Sequence, residues 1–175
     1  MITKRTFSIA SAVLVTLGLS LGQASARMHR AATDDARKTL REMDVLASLV
    51  EDEADQLVHV SQDPNLSSYS HLTRLDAMKD ELNEMGRDLA VLEAERDTLP
   101  SWEQQVVDDT LPLLKDAAKN TDNAIDYFNA NRTHLWTPEY RGFASKVYDD
   151  SSQIAKSLKG YLTHDNGREE SVSGK

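Results

Sequence analysis

Three histidines are the first residues in this chain that invite chemistry. His59, His71 and His134 gather at one end once the chain is folded into antiparallel helices, alongside Arg132, Trp136 and Tyr140. Imidazole suits Zn, Cu or Ni, so this end is the candidate metal site. The spacing argues against it. Only His71 falls on a core register, and neither an i, i+4 histidine pair nor H-E-x-x-H is present. Helix-end and surface histidines are the plainer account. A di-iron centre would need E-x-x-H, yet Gln56 stands three residues before His59 and Ser68 before His71. A haem held by Met28 and His164 would draw both ligands from the ragged ends of the helical pattern. Met43, Met78 and Met85 fall on the apolar stripe and are expected to fill the core. No cofactor is expected.

A second candidate is a layer of small residues. Ala47, Leu82, Thr121 and Ser151 are expected to share a mid-bundle level, next to one containing Ala118. They make either a pocket for a small apolar ligand or a close helix approach in which Thr and Ser bond their own helix carbonyls. Close approach is favoured, because protein interiors rarely keep voids.

Covalent catalysis lacks its parts. The chain has no Cys, no G-x-S-x-G and no glycine-rich phosphate loop. The acidic run Glu51-Asp52-Glu53 with Asp55 flanks the core positions Val50 and Ala54 and is expected to be solvated. It lacks the twelve-residue spacing of a calcium loop. An enzyme is not expected. Nor is a nucleic-acid binder: 20 Lys+Arg against 29 Asp+Glu give a net charge of −9.

The elements that must position these residues are helices. One apolar series runs Ala36, Leu40, Met43, Ala47, Val50, Ala54, Leu57. A second runs His71, Leu75, Met78, Leu82, Met85, Leu89, Leu92, Arg96, Leu99. The third is Val107, Leu111, Leu114, Ala118, Thr121, Ile125, Phe128, Arg132, Leu135; the fourth is Tyr140, Ala144, Val147, Ser151, Ile154, Leu158, Tyr161. Alternating steps of 3 and 4 keep one helix face toward a neighbour, whereas a strand needs steps of 2. Breaks fall at Asp63-Pro64-Asn65, Leu99-Pro100-Ser101 and Thr137-Pro138-Glu139. Ser67 or Ser68 is expected to cap the second helix and Thr137 the fourth, with a capping box at Ser101-Trp102-Glu103-Gln104. Pro112 is expected to kink the third helix or to break it after a short lead-in. Short connections favour an all-α, up-down-up-down antiparallel four-helix bundle over residues 27–164.

The ends differ from this body. Lys4 and Arg5, an apolar stretch from Ile9 to Leu21, and Gln23-Ala24-Ser25-Ala26 have the form of a cleaved signal peptide over residues 1–26. A lone Lys-Arg pair points to the general secretory route, hence to a periplasmic or secreted protein. Losing Lys4 and Arg5 moves the charge to −11. Residues 165–175 are polar and expected to be a disordered tail.

Charge is uneven along the bundle. Residues 33–63 carry a net −6 and residues 138–162 a net +1, which favours contact between the first and last helices through lysines such as Lys146 and Lys156. The same asymmetry could orient a protein partner or a homodimer. The functional expectation is an exported, non-enzymatic helical bundle that binds a partner or helps maintain a bacterial envelope. A metal or haem binder and a carrier of a small apolar ligand are the alternatives.

Overall fold

The computed structural model describes the backbone of residues 14–173 and the side chains of residues 34–163. Four helices make up nearly all of it: α1 (Leu14–Val60), α2 (Ser68–Ala94), α3 (Ser101–Ala130) and α4 (Pro138–Ser173). A single 3₁₀ turn, Arg96–Thr98, leads from α2 toward α3. No strand occurs among the described residues. No helix there is long and apolar enough to cross a membrane.

Local chemistry explains where the helices stop. The Asp63 carboxylate accepts the Asn65 amide at 2.9 Å, which turns the chain beside Pro64 just after α1 ends. Ser67 caps α2 by accepting the Tyr69 amide at 3.1 Å. Thr137 Oγ1 accepts the Tyr140 amide at 3.3 Å and so caps α4. The capping box expected at Ser101 is not formed. The Pro100 carbonyl accepts the Gln104 amide at 3.1 Å, so Pro100 is the cap and Ser101 already lies in the first turn. The Gln104 side chain instead donates to the Leu99 carbonyl at 2.9 Å. Pro112 does not break α3, which runs through it; its ring lies on an exposed part of the helix, where a missing amide donor is tolerated. α4 continues to Ser173 over most of the segment expected to be a disordered tail. The leader expected at residues 1–26 lies partly outside the described residues, and no side chain before residue 34 is described.

α1 packs against α2 and α4, and α3 packs against the same two, so the four helices enclose a common core. Cross-helix pairs give the registers. Arg74 Nη1 of α2 meets both Glu53 carboxylate oxygens of α1, at 2.8 and 3.0 Å. Lys159 of α4 lies 4.0 Å from Asp44 of α1, and Tyr161 of α4 donates to Asp109 of α3 at 2.8 Å. Three of the four apolar series face inward as the spacing predicts. Every position from Ala36 to Leu57 is buried, as is every one from His71 to Leu92 and from Tyr140 to Leu158. At their ends, Arg96 turns outward into the 3₁₀ turn and Tyr161 is half-buried.

The third series is rotated. α3 buries Glu103, Val107, Thr110, Leu114, Ala117, Thr121, Ala124 and Phe128, while Leu111, Ala118 and Ile125 are only half-buried. Both sets keep helical spacing. The inward set is the smaller one at three levels, Thr110, Ala117 and Ala124, in a core that also buries Met43, Met78 and Met85. Bulkier side chains are displaced to the margins, where they meet the seam with a neighbouring helix rather than the core. Arg132 follows the same rule: its guanidinium leaves the core register and lies 5.3 Å over the Phe128 ring.

Candidate functional site

The histidine end separates into three environments. His71, in the first turns of α2, is buried against Tyr140 of α4, with ring centroids 5.7 Å apart. Tyr140 in turn stacks on Tyr127 of α3 at 5.5 Å. The Tyr127 hydroxyl accepts the Thr137 Oγ1 proton at 2.9 Å, tying this aromatic cluster to the α4 cap. Burial pushes the His71 imidazole below its ordinary pKa and the Tyr140 phenol far above its own, so both are neutral across the physiological range. His71 Nδ1 and the Tyr140 hydroxyl have no protein hydrogen-bond partner. His59 is exposed, with Nδ1 2.8 Å from the Asp55 carbonyl one turn back. His134 is exposed too, its ring 4.5 Å from that of Trp136. Among the described residues no three His, Cys, Asp or Glu side chains are grouped to hold a metal ion. Met28 and His164, the haem pair considered above, lie outside the described side chains.

The small-residue layer is buried: Ala47, Leu82, Thr121 and Ser151 are each at most 5% exposed. Ser151 Oγ donates to the Val147 carbonyl at 2.7 Å and reaches the Tyr148 carbonyl at 3.1 Å. That is the back-bonding expected of a close helix approach. Thr121 Oγ1 is buried without a partner.

Space opens elsewhere. Between α2 and α3 lies a groove of about 670 Å³, lined by Leu82, Gly86 and Leu89 of α2 and by Leu111, Leu114 and Ala118 of α3. Of the small-residue layer, only Leu82 reaches it. Its presence follows from the rotation of α3. The turn that hides Thr110 and Ala117 brings Leu111 and Ala118 to this seam. On the α2 side Gly86 has no side chain to fill the gap, and a Cβ built there meets nothing within 4 Å. Arg87 and Lys115 stand on the rim, with Glu93 toward the end of the groove nearest the 3₁₀ turn. The groove has the size and apolar character of a small-molecule site. Sequence reasoning missed it, because Ala117-Ala118 and Thr110-Leu111 offer two equally periodic faces.

The carboxylates form a third feature. Glu81 of α2 is pushed up to about 7 from its ordinary 4.5, first by burial and then by repulsion from Glu53, Asp80 and Asp52. Asp88 is raised by burial and by Glu42 and Glu84, and Asp150 by burial and by Asp116 and Asp149. Asp44 is raised by burial, against the pull of Lys159. Burial is the first cause at all four carboxylates, and neighbouring carboxylates add to it at Glu81, Asp88 and Asp150. Only the Glu51–Asp55 run was legible as an acidic feature, and Glu81 was not.

Neither the family models, nor the curated proteins, nor the solved structures compared with this chain give a match.

Proposed function

We propose that this chain is an exported, non-catalytic four-helix bundle of up-down-up-down topology that acts by binding, in the service of a partner or of envelope maintenance. The α2–α3 groove carries the reading: its lining is mainly apolar, whereas the hollows along α1–α2 and α3–α4 are lined mostly by charged and polar side chains. The antiparallel topology is supported by the registers, since the end of α1 meets the start of α2 and the start of α3 meets the end of α4. Export rests on the leader-like pattern of residues 1–26, with cleavage after Ala26. Binding is preferred to catalysis because the buried His71 and Tyr140 are held neutral inside an aromatic cluster, away from the groove residues.

The test is gentle isolation of the chain from the envelope fraction of its own cells, followed by N-terminal sequencing, native mass spectrometry and an absorption spectrum. The expected product begins at Arg27 and carries a metal-free guest or partner. A Soret band or stoichiometric metal lost on His71→Ala would overturn the reading in favour of a cofactor protein. Retention of an uncleaved leader would overturn the export step.

A further inference from the structure

We infer that the α1–α2 connection and the start of α2, residues 62–73, form an acid-released strap whose latch is the contact of His71 with Tyr140. Every residue from Gln62 to Tyr69 is exposed and Ser70 is half-buried, so His71 is the first fully inward side chain after Ser61. Leu72 and Thr73 turn outward again, and the next buried residue is Leu75. The turn bonds of the segment are local. The Gln62 amide reaches the His59 carbonyl at 3.1 Å, Leu66 that of Asp63 at 3.3 Å and Ser70 that of Ser67 at 3.0 Å. What ties the strap to α4 is the His71 ring, 2% exposed and 5.7 Å from the Tyr140 ring between centroids. Past the strap the hold is firm, with Arg74 clamped to both Glu53 oxygens and Leu75 and Met78 buried.

The latch stays closed only while the imidazole is neutral. Neither His71 Nδ1 nor the Tyr140 hydroxyl has a protein hydrogen-bond partner. A buried imidazolium needs acceptors for both of its N–H groups. The groups around His71 bring no charge to answer it. From α4 comes the Tyr140 phenol, backed by the Tyr127 phenol of α3, while α1 turns Ala54 and Leu57 inward. Glu53 is engaged by Arg74, and Asp55, Asp76, Asp126 and Glu139 are exposed. Arg132 lies over the Phe128 ring. With His59 and His134 both exposed, no second imidazole joins His71 round a metal ion. A proton on His71 is therefore accommodated by letting the ring out to water, which frees the strap and uncovers Tyr140. Acid acts oppositely further along α2. Glu81, about 15 Å on, favours the folded state once protonated, so the body of the helix is steadied while its start lets go.

Hydrogen exchange of the full chain at pH 7 and pH 5, read by mass spectrometry with intrinsic rates divided out, tests this. The released ring has an ordinary pKa of about 6.5, which caps the gain in opening between the two at about 25-fold. Protection of residues 66–73 is expected to fall several-fold within that ceiling, while residues 78–92 and 144–158 keep theirs. His71→Phe keeps a ring against Tyr140 without a titrating nitrogen and is expected to remove the response. In the unaltered chain, an NMR titration of the His71 imidazole should have its midpoint below 6.5, and the fall in protection should level off there. Unchanged protection at pH 5, a loss spread evenly over all four helices, or a loss that persists in His71→Phe would each overturn the inference. Should that variant not fold, an ordinary imidazole midpoint, or protection that does not follow it, would do the same.

Discussion

The α1–α4 seam and the α2–α3 seam are made from the same kind of amphipathic helix, and they pack differently. Among the four neighbouring pairs, α1 and α4 have the most extensive contact and α2 and α3 the least. Side-chain size explains the contrast. α1 brings Ala36, Ala47 and Ala54 inward, and α4 answers with Ala144, Ser151 and Ala155, so the two backbones approach closely. Across the other seam, Leu82 and Leu89 of α2 and Leu111 and Leu114 of α3 line the groove, with the small Gly86 and Ala118 among them. Large opposed to large with small residues between leaves a trough. Small opposed to small leaves none.

The same added volume should therefore have opposite effects on the two sides. Ala47→Leu forces a larger side chain into a fully buried site and is expected to destabilise by about 1–3 kcal/mol. Gly86→Leu adds still more volume where nothing lies within 4 Å, and relief of the glycine penalty in a helix should raise stability by about 0.5–1 kcal/mol. Thermal melts of the two variants check this directly. Equal losses would mean that the α2–α3 seam is as closed as the other.

The next effect is electrostatic. Because Glu81 titrates near 7 in the folded chain and near its ordinary 4.5 when unfolded, the folded state holds the extra proton. Its stabilising contribution is full below about 4.5 and is lost as pH rises through about 7. Glu81→Gln should then raise stability at pH 8 by about 1–2 kcal/mol, allowing for solvent screening of a partly exposed group, and change little at pH 4. Paired chemical denaturation curves at the two pH values measure the difference; a gain at pH 4 as large as at pH 8 would contradict this origin. His71 works in the opposite sense, since its imidazole is held below its ordinary pKa of 6.5 and costs stability as pH falls below that value.

The smallest expected effect concerns charge across the tight seam. The charge asymmetry of the first and last helices pointed to Lys146 and Lys156, yet among the described residues the α4 cation within ion-pair range of α1 is Lys159, 4.0 Å from Asp44. With Lys159 largely exposed, Lys159→Glu should cost a few tenths of a kcal/mol at low salt and less at high salt. Thermal melts in the two buffers would show it, and a loss independent of salt would mean that packing, not charge, is the cause.

Helix existence and helix ends were legible in the residues because both are set locally. A 3.6-residue repeat, a proline without a donor and a serine beside free amides act within a few residues of themselves. So the inward faces of α1, α2 and α4, the cap at Ser67 and the cap at Thr137 could be read directly. The cap of α3 could not, because Pro100 adopts an extended conformation that lets its own carbonyl start the helix one residue early.

Tertiary structure decided the rest. The apolar stripe of α3 is wide enough to face the core with Val107, Leu114 and Phe128 in either of two rotations, and nothing within the helix chooses between them. In a core that also buries methionines from α1 and α2, Thr110, Ala117 and Ala124 face inward and Leu111 and Ile125 do not. That rotation buries Glu103 and opens the groove over Leu111 and Ala118. It has the same origin as the contact between His71 and Tyr140 and the strain on Glu81, which join residues about 70 and 30 positions apart in the chain. Periodicity by itself made four helices of this chain. Competition for volume among them, which no single helix encodes, determined where the molecule stayed open.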